Sequence, residues 1–193
     1  MTWLVAGLGN PGPRYAKHRH NLGYLVVDEL ASRAGARFKK ARFVPADVCE
    51  LREGDERVLL GKAHAFMNEN GPVFASLARK HHVDPDHVIA VHDEIDLPFG
   101  ALRVKLGGST AGHNGVKSLA AGLRTNDFYR IRLGVGRPPG RGDPIDWVIR
   151  DFAKREEAAV AILVDDGADA VLSIVREGLR RTQDRFNRSS PRD

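Results

Sequence analysis

Histidine, aspartate and asparagine recur in this sequence where the chain turns, and together they can move protons and recognise polar groups. His20 stands just before Asn21, where a loop gives way to a helical pattern, so its ring can face a cleft. A neutral imidazole, with an ordinary pKa of about 6.5, accepts a proton from water or a hydroxyl. The competing reading is a surface histidine in a basic loop. The pair His18-x-His20 also suggests a metal, but no third ligand follows at an obvious spacing, and none is expected. Asp93 ends a hydrophobic strand read at 87–91. In open α/β sheets, ligand sites form at the carboxyl ends of strands. A carboxylate there would hold a histidine ring in one tautomer and raise its pKa; otherwise Asp93 is a solvated residue of a His92-Asp93-Glu94 turn.

Asn10, Asn68 and Asn114 each lie in a loop or at a helix entry. A side-chain amide offers donors and an acceptor without charge, which suits a peptide group or an ester, although asparagine also serves turns and caps. His113 and Asn114 follow a glycine loop at a helix start, where capping is the plain alternative. Tyr15 and Phe66 flank these motifs and can stack on bases or pack in the core; for Phe66 core packing is the stronger expectation. G-x-S-x-G is absent and the single Cys49 lies in a strand-like segment. A His/Asp/Asn set without a nucleophile points to general-base activation of water.

The elements that must position these groups alternate. Residues 3–7 read as a buried strand stopped by Gly9, Asn10, Pro11 and Gly12. Asn21 can cap a helix whose stripe is Leu22, Leu25, Val26 and Leu30. Strands follow at 44–51 and 57–62 as a hairpin, then a helix opened by Gly71-Pro72, strands at 87–91 and 101–106, and a helix at 115–124. Residues 128–135 alternate in the period of a half-buried strand. From 154 to 185 the pattern is helical, with Gly167 as the expected divide. This alternation, without a linker or repeat, predicts an α/β fold: a single domain with a central twisted mixed β-sheet flanked by helices, over 1–186, with 187–193 a flexible C-terminal tail.

Gly7-Leu8-Gly9-Asn10-Pro11-Gly12 fits the G-x-G-x-x-G of dinucleotide-binding domains. In those domains a helix starts inside the glycine turn to present free N–H groups to the pyrophosphate. Here Pro11 removes a donor, Pro13 follows, and the helical stripe begins only near Asn21, so the glycines are expected to shape a tight loop.

With 193 residues, 42% hydrophobic and 28% charged, the chain can bury a core unaided. One cysteine cannot form an internal disulfide, and the longest apolar run, 158–164, is too short to span a bilayer. A cytoplasmic protein with no membrane partner is expected. The net charge of +5 says little by itself. Its distribution says more: 1–27 holds Arg14, Lys17 and Arg19 with no acid, and 97–142 holds eight basic residues against Asp127 alone. If the fold joins them, they make one positive face for a phosphate-rich ligand.

The motifs Gly7-Leu8-Gly9-Asn10-Pro11-Gly12, Tyr15, Arg19-His20-Asn21-x-Gly23, Phe66-Met67-Asn68, His92-Asp93-Glu94-x-Asp96-Leu97-Pro98 and Gly112-His113-Asn114-Gly115 together resemble bacterial-type peptidyl-tRNA hydrolase. The resemblance implies a monomeric cytoplasmic esterase that needs no metal or organic cofactor. Its substrate is peptidyl-tRNA, met at the acceptor stem and 3′ end, and it frees tRNA from prematurely released peptides. By that resemblance His20 activates water and Asp93 orients it. Asn10 and Asn68 hold the peptide end and discriminate against a free α-amino group. Asn114 and His113, with Tyr15 and Phe66, bind substrate or position water, and Lys105 and Arg132 meet tRNA phosphates. The alternatives are a non-catalytic tRNA-binding module and a dinucleotide oxidoreductase. His18, Glu69-Asn70 and Val116 depart from the family pattern, and Glu69 sets a negative charge beside Asn68.

Overall fold

The computed structural model describes residues 1–187. Its centre is β1 (Thr2–Gly7), apolar along its length because both of its faces are covered. β1 pairs in parallel with β4 (Glu56–Ala63) on one side, Leu4 opposite Leu59, and with β5 (Val88–Glu94) on the other, Leu4 opposite Val88. Outside β4 lie the antiparallel β3 (Ala46–Glu53) and the two-residue edge strand β2 (Lys39–Lys40). Outside β5 lie the parallel β7 (Tyr129–Gly134) and the antiparallel edge strand β6 (Leu102–Leu106). The seven-stranded sheet is therefore mixed, in the order β2-β3-β4-β1-β5-β7-β6.

Strand alternation sorts the side chains into two cores. Val5, Val91 and Ile131 face α1 (Leu22–Arg33), α5 (Glu157–Glu177) and α6 (Leu179–Phe186). Leu4, Ala6 and Ala90 face α2 (Asn70–Lys80) and α3 (Asn114–Leu123). A short helix, α4 (Pro144–Val148), lies outside both layers, its start capped by the Asp143 carboxylate on the Ile145 amide.

Four local expectations are corrected. Gly167 does not divide the C-terminal helices. α5 runs through it, and the break falls at Gly178, whose φ of 80° is the left-handed conformation glycine favours. Gly167 instead lets α5 approach the sheet, since a Cβ there would lie 3.0 Å from Val26 and 3.3 Å from Leu133. Asn21 does not cap α1. β5 continues past Val91 through His92, Asp93 and Glu94, which pair with Arg132, Leu133 and Gly134 and are buried; there is no solvated turn. Finally, Asn187 is held, its side chain accepting from the Val104 amide at 2.7 Å and donating to the Val104 carbonyl at 3.0 Å. The rest of the expected tail, 188–193, lies outside the described residues. Among the described residues, no helix is long and apolar enough to cross a membrane.

Candidate active site

Two close backbone approaches build the site. A Cβ on Gly23 would fall 2.3 Å from the Val91 carbonyl and 2.4 Å from the Leu8 amide, so only glycine lets α1 pass over the ends of β1 and β5. Asn21, one residue after His20, grips the loop after β1. Its Oδ1 accepts from the Asn10 amide at 3.0 Å and its Nδ2 donates to the Asn10 carbonyl at 2.9 Å. The glycines of 7–12 thus serve packing: a Cβ on Gly9 would meet the Tyr24 ring at 2.7 Å. No helix starts in the turn to receive a pyrophosphate; two 3-10 turns, Pro13–Tyr15 and Arg19–Asn21, follow before α1.

His20 Nδ1 lies 2.9 Å from both carboxylate oxygens of Asp93, and His113 Nε2 lies 2.9 Å from Asp93 Oδ1. The backbone decides the tautomers. His113 Nδ1 accepts from the amides of Gly115 and Val116 at 3.1 and 3.3 Å, capping α3, so its proton resides on Nε2 and is donated to Asp93. His20 Nδ1 faces an acceptor-only carboxylate, so it too donates, and its Nε2 is left with a lone pair and no partner within the described protein. Burial alone would lower the His20 pKa, but the charge and hydrogen bonds of Asp93 outweigh it and leave it raised. Burial alone would raise the Asp93 pKa; the two histidines reverse that and hold the carboxyl well below the usual range. His92 is buried beneath, its ring 4.7 Å from that of His113, and burial above all pushes its pKa well below the ordinary value. The ligand-capable atoms of His20, Asp93 and His113 cluster closely enough for a metal ion. Their hydrogen bonds already account for that proximity, and a protonated His113 Nε2 offers no lone pair.

The cluster floors a cleft of about 350 Å³, which Asn10, Tyr15, Phe66, Asn68 and Asn114 also line. Residues of 1–27 and of 97–142 therefore meet at one cleft, although no lysine or arginine of either segment is among the residues that line it. Asn10 Oδ1 accepts from the Met67 amide at 2.7 Å, which fixes the amide orientation and leaves Nδ2 as a donor with no partner among the described residues. Phe66 does not pack in the core: it is 50% exposed, edge-on to Tyr15 with centroids 6.0 Å apart. Lys105 and Arg132 lie on β6 and β7, outside the cleft lining. Arg132 approaches the buried Glu94 at 3.4 Å. Burial, then the charges of Arg132 and Arg130, lower the Lys105 pKa, as crowded cations require.

Three contributors escaped the sequence reading. Arg130, one of the alternating arginines of β7, is buried and donates to the carbonyls of Gly108, Ser109 and Asn126, tying down the loop that delivers His113. Arg19 is buried beside His20. Its guanidinium lies 3.8 Å from the Trp147 ring centroid and bonds the Asp151 carbonyl at 2.8 Å and Glu156 at 3.0 Å. It thereby holds α4, whose Pro144, Ile145 and Val148 form the apolar wall of the cleft. The Asp143-Pro144 pair was the readable signal for that helix.

Among the described residues no serine, threonine or cysteine lines the cleft, and Cys49 is buried in the core under α1 and α5. A histidine held by a carboxylate at the floor of an open pocket, at the strand ends of an α/β sheet, is an arrangement that can exchange protons with water, as the class of hydrolases requires. The family described as peptidyl-tRNA hydrolase matches residues 4–193. Peptidyl-tRNA hydrolase of Mycobacteroides abscessus is 50% identical over 95% of this chain and 94% of its own. That of an Arthrobacter species is 48% identical over 96% of both. The crystal structure of peptidyl-tRNA hydrolase from Acinetobacter baumannii superimposes with a TM-score of 0.91 at 26% identity, covering 99% of this chain and 97% of that one. The chain belongs to the peptidyl-tRNA hydrolase family.

Proposed function

We propose that the cleft hydrolyses the ester between the last carbonyl of a peptide, or of an N-blocked aminoacyl group, and the 3′-terminal ribose of tRNA, recovering tRNA from peptides released too early. The observation that carries the assignment of roles is the His20 lone pair at Nε2, fixed by the Asp93 bond and open to the cleft. A water placed against Nε2 gives it a proton as its oxygen attacks the ester carbon. The carbonyl oxygen becomes an oxyanion, and Asn10 Nδ2 is the donor best placed to meet it. Collapse breaks the bond to the ribose oxygen, which takes the proton back from Nε2. Asp93 stabilises the imidazolium between these steps, and His113 positions Asp93. An ester needs no more than this, and no organic cofactor enters.

Asn68 and Asn114 present exposed amides to the peptide end, and with Asn10 they discriminate against a free α-amino group. Tyr15 and Phe66 offer ring faces to the 3′-terminal base. Lys105 and Arg132 meet acceptor-stem phosphates at the sheet edge. The chain acts as a monomeric cytoplasmic enzyme in which 1–187 work as one catalytic domain.

The test uses N-acetyl-aminoacyl-tRNA in the presence of EDTA. The protein is expected to release tRNA from it and to spare free aminoacyl-tRNA. His20→Ala is expected to bind the substrate while losing about 10²–10⁴ in turnover. Unchanged turnover in that variant removes His20 from the role of base, and wild-type binding without cleavage favours a tRNA-binding module.

A further inference from the structure

Far from β6, at the other edge of the sheet, residues 37–43 carry Arg37, Lys39, Lys40 and Arg42 with no acid among them. Two other elements bring cations to the same place. Lys80, at the end of α2, donates to the Arg42 carbonyl, and Arg57 of β4 joins Lys39, Lys40, Arg42 and Lys80 around a groove of about 410 Å³. The one acid lining it, Glu50, is committed to Arg57 at 2.7 Å. Lys39, Lys40 and Arg42 have no carboxylate partner among the described residues. The groove is electropositive enough to be felt by its own wall: burial lowers the His81 pKa, and Arg57 and Lys80 lower it further. Beside the groove Phe43 is 88% exposed, at a φ of 64°, with the Arg42 guanidinium 4.8 Å from its ring centroid.

Lysines on an edge strand discourage edge-to-edge pairing of sheets, which explains Lys39 and Lys40. It does not explain why Arg42 and, from α2, Lys80 add further cations. Nor does it explain a phenyl ring left in solvent on a backbone conformation that bulky residues rarely adopt.

We propose that this groove is a second RNA-contact surface, holding the phosphodiester backbone of the same tRNA whose 3′ end enters the cleft, with Phe43 against a sugar or an unpaired base. The inference rests on the substrate reading above. The placement favours a single RNA. Lys39 is opposite Val48, whose side chain belongs to the core under α2 and α3. Lys105 and Arg132 alternate with Val104, Ile131 and Leu133 of the other core, so they stand on that same α2–α3 face. Six strand spacings separate β2 from β6, roughly 29 Å at about 4.8 Å each. The cleft, at the ends of β1 and β5, opens between the two basic edges, and an RNA arm carries a charge at every nucleotide along such a span.

The experiment compares wild type with Lys39→Gln/Lys40→Gln/Arg42→Gln and, separately, Phe43→Ala, all changes at exposed positions whose folding is checked by thermal melting. Each is assayed on full-length N-acetyl-aminoacyl-tRNA and on the same ester carried by adenosine alone, with binding of deacylated tRNA measured alongside. For the triple variant, KM on the full-length substrate is expected to rise on the order of tenfold at 0.1 M salt with kcat unchanged, and the salt slope of tRNA binding to become shallower by about two. Phe43→Ala is expected to raise that KM severalfold, and neither variant to change turnover of the adenosine ester. Wild-type KM and salt slope in the triple variant overturn the proposal, as does equal impairment on both substrates. Should the wild type cleave neither ester, the hydrolase reading fails, and the deacylated-tRNA measurement still decides the groove.

Discussion

Asp93→Asn keeps the shape of the side chain and removes its charge, which isolates what the carboxylate does for His20. In the wild type His20 Nδ1 lies 2.9 Å from both carboxylate oxygens. Two unit charges about 4 Å apart attract by about 4 kcal/mol at an effective dielectric constant of 20. That attraction exists only when His20 is protonated, as it is once it has taken the proton of water. Each 1.36 kcal/mol is about tenfold in rate, so losing two-thirds or more of it predicts a fall of about 10²–10³ in kcat/KM. An amide nitrogen facing Nδ1 also permits the wrong tautomer, with the proton on Nε2, which deepens the loss. The pH profile carries the sharper signature. Neutral His20 is the active form, so wild-type kcat/KM should rise with pH through a pKa above 6.5. In the variant burial acts unopposed and the limb should move to lower pH. Stability follows the opposite signs for the two groups. The contribution of Asp93, whose folded pKa is depressed, is present above its unfolded value of 3.8 and lost as pH falls towards the folded one. That of His20 is full below 6.5 and lost as pH rises through the folded pKa. Initial rates on N-acetyl-aminoacyl-tRNA between pH 5 and pH 9 decide the matter. A parallel profile with an unmoved limb would falsify the role given to Asp93.

Two further substitutions test the scaffold. Arg130→Met strips a buried guanidinium from three carbonyls and is expected to cost about 2–3 kcal/mol in urea denaturation, with faster amide exchange over 107–112. Wild-type exchange there would show that the loop is held by other means. Gly23→Ala drives a Cβ against the Val91 carbonyl and the Leu8 amide, both fixed backbone, for about 3 kcal/mol or a drop of about 6–12 °C in Tm. A Tm within a degree of wild type would mean that α1 can lift away from the sheet without penalty.

The alternation of strand and helix was readable because β1 and β7 carry their burial in their residue types, and the mixed sheet followed from the hairpin at 53–55. Signals of one residue fared worse. Gly167 and Gly178 look alike in sequence, yet one admits a neighbouring helix and the other turns the chain, and only the partner across the gap tells them apart. Asn21 has the chemistry of a cap and spends it on Asn10 instead. The polar run His92-Asp93-Glu94 reads as a turn because burying three polar residues in a strand is costly. For Asp93 the compensation comes from His20 and His113, 73 and 20 residues away in the chain, and for Glu94 from Arg132 on the neighbouring strand. Phe66 was misplaced for the converse reason: a phenyl ring in solvent makes sense only beside a ligand site.

The tautomer lock on the two histidines has a consequence for proton traffic. Past His20 lies Asp93, past Asp93 lies His113, and the far nitrogen of His113 is pinned by two backbone amides of α3. A proton entering at His20 Nε2 is therefore in a cul-de-sac on its inner side, with no conducting path onward through the described residues. Whatever fills the cleft must take that proton back, so leaving-group protonation and resetting of the base become one event, and a substrate whose leaving oxygen sits out of reach stalls the site with its charge in place.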